Sequence, residues 1–281
     1  MGHLAPGARD QHAEYEEFWQ RVLPCRECLE GPDGDTLRRA RSERVFFPLP
    51  GLGVMPLPRP VRFLVLGSEP SGNWARDPAT GEATTKQAET MVRGADRLLP
   101  FRNFNEQRGD WLFQYAAEHW LIDTAVESYV MSDVAKCALD LGVARRTRSR
   151  YGTCIKQWLS PELAMLKPSA LIALGASAKA ALESHEDSLS GLPVFAVPHP
   201  SFANLGRIHQ LLPKAKDELH KAMDRVPDDV WDFIRVRRAL SRQTGRGHDA
   251  VTPSDGDRKF LVAYRSAFSA IRARMNLRPL V

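Results

Sequence analysis

Residues 61–74 read VRFLVLGSEPSGNW. VRFLVLG is a short apolar run interrupted by a single arginine, the pattern of a parallel strand buried on both faces. It runs into a loop with two glycines, one proline and one carboxylate, Glu69, so a tight turn follows at the edge of a sheet. Three later segments repeat the strand pattern: SYVMSDVAK (128–136), ALIALG (170–175) and LPVFAVPHP (192–200). Helical patterns separate them, in WLFQYAAEHWLI (111–122), from Pro161 to Leu166, in ASAKAALESH (176–185) and from Lys214 to Met223. Strands that are apolar throughout and alternate with helices predict a three-layer α/β/α sandwich with a four-stranded, mostly parallel central sheet. In such sheets ligands bind outside the carboxyl ends of the strands. Three of those ends here carry polar chemistry: GSEPSGNW, SDVAKC and HPSFANLGR.

Outward from the sheet, Tyr15, Phe18, Trp19 and Val22 recur at helical spacing before Pro24 breaks the pattern. Residues 31–60 are rich in Gly, Pro and Arg and are expected to be mostly irregular, and a short helix is expected from Lys86 to Leu99. After residue 225 the character changes, with amphipathic helices expected over Trp231–Ser241 and Lys259–Met275. The division read from the sequence is therefore an α/β domain over 1–224 and a helical extension over 225–281. The chain has 281 residues, 43% hydrophobic and 26% charged, which suits an ordinary globular protein. No apolar run reaches membrane-spanning length and the N-terminus lacks the apolar core of a signal peptide, so a cytoplasmic, monomeric protein without a membrane partner is expected. A net charge of +5 permits a polyanionic partner without demanding one.

The four cysteines are arranged two plus two. Cys25 and Cys28 form CREC, whose two-residue spacer brings both sulfurs to one side, while Cys137 follows a strand and Cys154 lies sixteen residues beyond it. A disulfide framework is not expected in a reducing compartment. Four thiolates are a soft donor set that selects zinc or an iron–sulfur cluster, with buried free thiols as the alternative.

This cysteine pattern, the Lys-Cys that ends a strand in VAKC (134–137), LKPSALIALGASAKAAL (166–182) and His-Pro-Ser (199–201) together resemble the iron–sulfur uracil-DNA glycosylases. The resemblance runs from about Pro24 to Leu219. It implies that Cys25, Cys28, Cys137 and Cys154 hold a [4Fe–4S] cluster, with zinc as the alternative, and that DNA is the partner. It also implies base excision: hydrolysis of the N-glycosidic bond of a deaminated or damaged base, uracil by kinship. In the family's first motif an acidic or amide residue follows the first strand, and Glu69 stands in that loop as the group beside the sugar. Iron–sulfur members carry Gly-Glu-Ala-Pro-Gly; here the order Gly67-Ser68-Glu69-Pro70 moves the acid one place along, as in the branch with Gly-Gln-Asp-Pro. His199 matches the second motif, as donor to the departing base. The family reads uracil with an asparagine before Lys-Cys, and Asp133 stands there instead. An ionised carboxylate only accepts hydrogen bonds; it can accept from an exocyclic amine or ring N–H, or stay protonated in a dry pocket. Gly67 and Ser68 complete the expected base pocket, with Trp74 as a stacking surface where the family has phenylalanine.

For DNA contact the candidates are Ser201, Asn204 and Arg207 after His199, and Arg146 and Arg148 in ARRTRSRYG, where four arginines fall within six residues. A solvated charge run is the plain reading of that segment. Two other functions fit the residues: a non-catalytic nucleic-acid-binding protein of the same fold, and an α/β enzyme with a zinc site acting on a nucleotide-like small molecule. The first loop has neither a P-loop lysine nor G-x-G-x-x-G spacing, which counts against a nucleotide cradle.

Overall fold

Two parallel ladders need three buried apolar strands side by side, and the sequence supplies them. In the computed structural model, Val61–Gly67 (β2) lies between Ser128–Asp133 (β3) and Ala170–Leu174 (β5), parallel to both, and Val194–Val197 (β6) adds outside β5. Residues 14–15, 17–22, 24–42, 46–48, 60–69, 108–139, 149–200, 208–226 and 255–280 are described. Leu64, Leu66, Val130, Leu171 and Ala173 join one core with Phe18 and Val22 of the N-terminal helix (α1, within 14–22), and with Ile155, Leu159, Ala178 and Leu182. Phe63, Val65, Met131 and Ile172, which alternate with them and so point to the other face, are buried as well. Both faces of the sheet are covered, as an α/β sandwich requires. Each such Leu, Ile or Phe contributes about 1.5–3 kcal/mol.

The chain leaves β2 toward one edge of the sheet and leaves β5 toward the other. The switch point, where α/β sheets bind ligands, therefore lies at the carboxyl ends of β2 and β5. The predicted strand 128–136 is shorter than expected. It ends at Asp133, bends over Val134 and Ala135, and restarts as Cys137–Leu139 (β4). That strand pairs antiparallel with Phe46–Pro48 (β1), Cys137 opposite Pro48. Gly34–Ser42 (α2) is helical within the stretch expected to be irregular. The run DTLRRARS holds good helix formers and buries Leu37, which outweighs the surrounding glycines and prolines.

The helix expected from Pro161 is longer than the sequence indicates. Arg150–Cys154, a π-helical turn Ile155–Leu159 and Ser160–Leu166 run on as one rod, α4. The wide turn has a local cause. Pro161 lacks an N–H and its ring would strike the carbonyl of Gln157, so the helix opens just before it. Ser160 donates to the Ile155 carbonyl twice, through its backbone N–H in the wide turn and through Oγ at 3.0 Å. Lys167 ends the rod in the left-handed region and Pro168 prevents its continuation. Gly175, at φ 83°, makes the sharp exit from β5 into Gly175–Glu183 (α5).

Two compact units are present: residues 1–103 with 127–196, and 104–126 with 197–281. The first holds the sheet strands up to Ala196. In the second, Arg108–Trp120 (α3), the helix expected at 111–122, packs on Asp255–Arg274 (α7). Phe113 meets Tyr264 and Phe268 edge-on at 5.1 and 5.6 Å. Arg272 donates to the Leu121 and Arg278 carbonyls at 2.7 and 2.8 Å. Lys216–Asp224 (α6) forms where a helix was expected from Lys214, and α7 is the predicted C-terminal helix. The helices expected at Lys86–Leu99 and Trp231–Ser241 lie outside the described residues.

Candidate functional site

Parallel pairing sets Gly67 directly opposite Asp133 at the carboxyl ends of β2 and β3. A Cβ on Gly67 would run into Oδ1 of Asp133, so the glycine is required by the carboxylate beside it. Beyond the strands, Val134 N–H donates to the Gly67 carbonyl (2.9 Å) and Ala135 N–H to that of Ser68 (3.0 Å). The loop carrying Glu69 is therefore stitched to the turn carrying Lys136.

Asp133 is 2% exposed and, among the described residues, its Oδ2 has no hydrogen-bond partner. Burial raises its pKa to about 7, opposed by the charge of Lys136 and reinforced by that of Glu162. It is a carboxyl group poised between its two forms near neutral pH.

Glu69 is held. Arg150, at the start of α4 and 2% exposed, pairs through Nη2 with Glu69 Oε2, and Tyr151 donates its hydroxyl to the same oxygen at 3.3 Å. The guanidinium carbon lies 4.9 Å from the Tyr151 ring centroid. Burial pushes the Arg150 pKa down while Tyr151, Cys154, Cys28 and Asp33 push it up; an arginine stays charged under either influence. The paired loop acid thus stands against a buried cation on another element.

Lys136 and Glu162 are both fully buried and form an ion pair at 2.5 Å. Lys136 Nζ also donates to Ser132 Oγ (2.6 Å) and to the Asp133 carbonyl (2.7 Å), which uses its three protons. Tyr15 of α1 donates to the other oxygen of Glu162 at 2.8 Å, and burial and that carboxylate hold its phenol well above the usual range. This node fixes the backbone of Asp133 from behind, and its partners come from three separate stretches of chain.

The same elements gather the cysteines. All four are thiols, and all but Cys25 are buried. Cys28 donates to Cys154: that bond, with Lys136 and Arg150 nearby, holds Cys154 down at about 7 despite burial. The same bond, then burial and the neighbouring sulfurs of Cys154, Cys137 and Cys25, push Cys28 far up. Cys25 is also raised by burial, while the Glu27 backbone N–H and the Trp158 indole N–H, 3.1 Å away, donate to its sulfur. The backbone N–H of Lys136 serves Cys154 likewise. Phe18 packs edge-on against Trp158 at 5.9 Å, which ties α1 to this corner. Among the described residues no group of three or more His, Cys, Asp or Glu is drawn together around a single ion position.

His199 follows β6 by two residues, in the second unit, and is half-buried. Burial lowers its pKa, so the imidazole is neutral at physiological pH. The Tyr264 hydroxyl donates to the Pro198 carbonyl and steadies that turn. Of the residues singled out from sequence, the structure brings Gly67, Ser68, Glu69 and Asp133 together at adjacent strand ends. Trp74, Arg146, Arg148, Ser201, Asn204 and Arg207 lie outside the described residues. Sequence reading did not identify Arg150, Tyr151, Lys136, Glu162 or Tyr15 as site residues. Arg150 was legible only as part of a basic run, and its place four residues before Cys154, one helical turn, is the signal that separates it from that run.

A model of the Uracil DNA glycosylase superfamily matches residues 57–224, more than half of the chain. The protein belongs to that superfamily. No curated protein matches it. No helix among the described residues is long and apolar enough to cross a membrane.

Proposed function

We propose that the protein is a DNA N-glycosylase that hydrolyses the bond between deoxyribose and a deaminated or damaged base. The observation that carries this reading is Glu69: a carboxylate at the end of β2, fixed by a buried arginine, in a chain of this superfamily. Cleavage leaves positive charge on the sugar and negative charge on the base. A pre-set carboxylate beside the sugar stabilises the first or orients the attacking water, and such fixed groups supply the largest catalytic effects. With Arg150 and Tyr151 both on Oε2, the other oxygen, Oε1, is the one assigned to this work. His199, neutral through burial, is the donor assigned to the oxygen of the departing base.

The four cysteines suit a [4Fe–4S] cluster better than zinc. Their set is all thiol, three N–H groups already aim at two of the sulfurs, and two cations lie nearby. One ion needs its ligands around one point, whereas a cubane takes one thiolate at each of four separated irons. The cluster's contribution would be to hold the CREC segment, β4 and α4 together. In that role α4 keeps Arg150 on Glu69. Iron and sulfide assays of anaerobically purified protein test this; a colourless protein carrying zinc overturns it.

The test of function is excision from oligonucleotides that carry uracil, hypoxanthine and other modified bases, with alkaline cleavage revealing abasic product. Glu69→Gln is expected to reduce the rate about 10²–10³-fold. A second reading is favoured by the same ion pair: Arg150 offsets the charge of Glu69 where a cationic sugar would feel it, as a non-catalytic DNA-binding relative would tolerate. Absence of abasic product from every base, with salt-sensitive DNA binding retained, would establish that reading instead.

A further inference from the structure

Arg150 carries more hydrogen-bonding capacity than Glu69 can use. Its side chain is 1% exposed, and Nη2 is spent on Glu69 Oε2. Among the described residues its Nε and Nη1 have no hydrogen-bond partner, although a guanidinium donates from every nitrogen. Buried polar atoms are nearly always satisfied, so two orphan donors on one buried cation point to an acceptor that completes the site. The surroundings say what kind. Tyr151 lies with its ring against the guanidinium and sends its hydroxyl to Glu69. Cys154 stands four residues on in α4, one helical turn away, and the charges of Cys154 and Cys28 both act on Arg150. Asp33, a further acid whose charge reaches it, accepts from Ser149 Oγ. Lys136, the other cation near Cys154, has already committed its protons to Ser132 Oγ, the Asp133 carbonyl and Glu162. Of the two cations, only Arg150 has donors left to give.

Resting on the iron–sulfur reading of the cysteines, we propose that Arg150 is a charge bridge: one buried guanidinium that holds Glu69 and offers its remaining N–H groups to the cluster. Four thiolates leave such a cluster net negative, and the charge and hydrogen bonds around it set its potential. A cation shared in this way is drawn off Glu69 as the cluster gains negative charge. Glu69 then keeps more of its own charge for a cationic sugar, which relieves the offset that full pairing imposes. The coupling is reciprocal: whatever changes the charge of Glu69 changes the potential of the cluster. Arg150 is thus a positioning residue, acting through Glu69 and the cluster and never on the substrate.

The experiment reads the cluster's reduction potential by voltammetry of the full chain, purified anaerobically, with iron and sulfide measured in every sample. Arg150→Gln should favour the oxidised form about tenfold, a drop of about 59 mV for one electron. Glu69→Gln removes the charge that competes for the guanidinium and should shift the potential the other way. Arg150→Lys keeps the charge but not the fork of donors, and should fall between wild type and Arg150→Gln. A full cluster whose potential is unmoved by Arg150→Gln or by Glu69→Gln overturns the proposal. So does a Glu69→Gln shift of the same size in the Arg150→Gln background, because the coupling then bypasses the arginine. If Arg150→Gln does not fold, Glu69→Gln and Arg150→Lys decide the matter. A chain without iron and sulfide removes the cluster reading and this inference together; a full cluster with an unmoved potential removes this inference alone. Neither result bears on the glycosylase reading, which the excision assay judges.

Discussion

Two buried charge clusters lie side by side at the ends of β2 and β3, and they are built differently. In the Lys136–Glu162–Tyr15 node the three ammonium protons and both carboxylate oxygens are all engaged. In front of it, Asp133 Oδ2 and the Nε and Nη1 of Arg150 make no hydrogen bonds among the described residues. The first arrangement is that of scaffolding, since a satisfied network rigidifies what it touches. The second holds unspent hydrogen-bonding capacity, which costs stability and makes sense where a ligand completes it.

The comparison breaks most visibly at Lys136. Lys136→Met should cost about 3–5 kcal/mol in chemical denaturation because Glu162 is left buried and unpaired, and pairing it with Glu162→Leu should recover most of that loss. A cost below about 1 kcal/mol would remove the node from the scaffold. Asp133→Asn should act in the opposite direction. The native carboxyl deprotonates near 7 and the unfolded one near 3.8, so the unfolded state binds fewer protons between those values. Stability from this group is intact below about 4, falls as pH rises, and is fully lost above about 7, an effect of at most about 4 kcal/mol. The variant should therefore be the more stable protein at pH 8 and gain nothing near pH 4, as paired thermal melts would show. Tyr15→Phe, which removes one bond to a buried carboxylate, should cost about 1.5–3 kcal/mol in the same denaturation assay. Tyr151→Phe removes only a 3.3 Å contact; its expected cost is under about 1 kcal/mol, with excision slowed a few-fold while Arg150 holds Glu69 in place.

Much of this architecture was legible in the chain. VRFLVLG announced a strand buried on both faces because alternation is absent where both faces are covered. ALIALG and the small-residue turn at Gly175 were readable for the same reason and because few residues but glycine accept that φ. Helix α2 was hidden by the glycines and prolines around it, and α4 by Pro161, which reads as a helix start but here sits inside a rod that widens to admit it.

The sequence by itself determined the layered fold, the strand ends that carry chemistry, and the presence of Glu69 and Asp133 on two of them, because these depend on local pattern. It could not assign charge partners. Lys136 and Glu162 are 26 residues apart, Tyr15 and Glu162 147, and Tyr151 and Glu69 82. Only tertiary structure brings such groups together, and only burial decides that one acid is held as part of an ion pair while the other, Asp133, keeps an oxygen that no group among the described residues bonds.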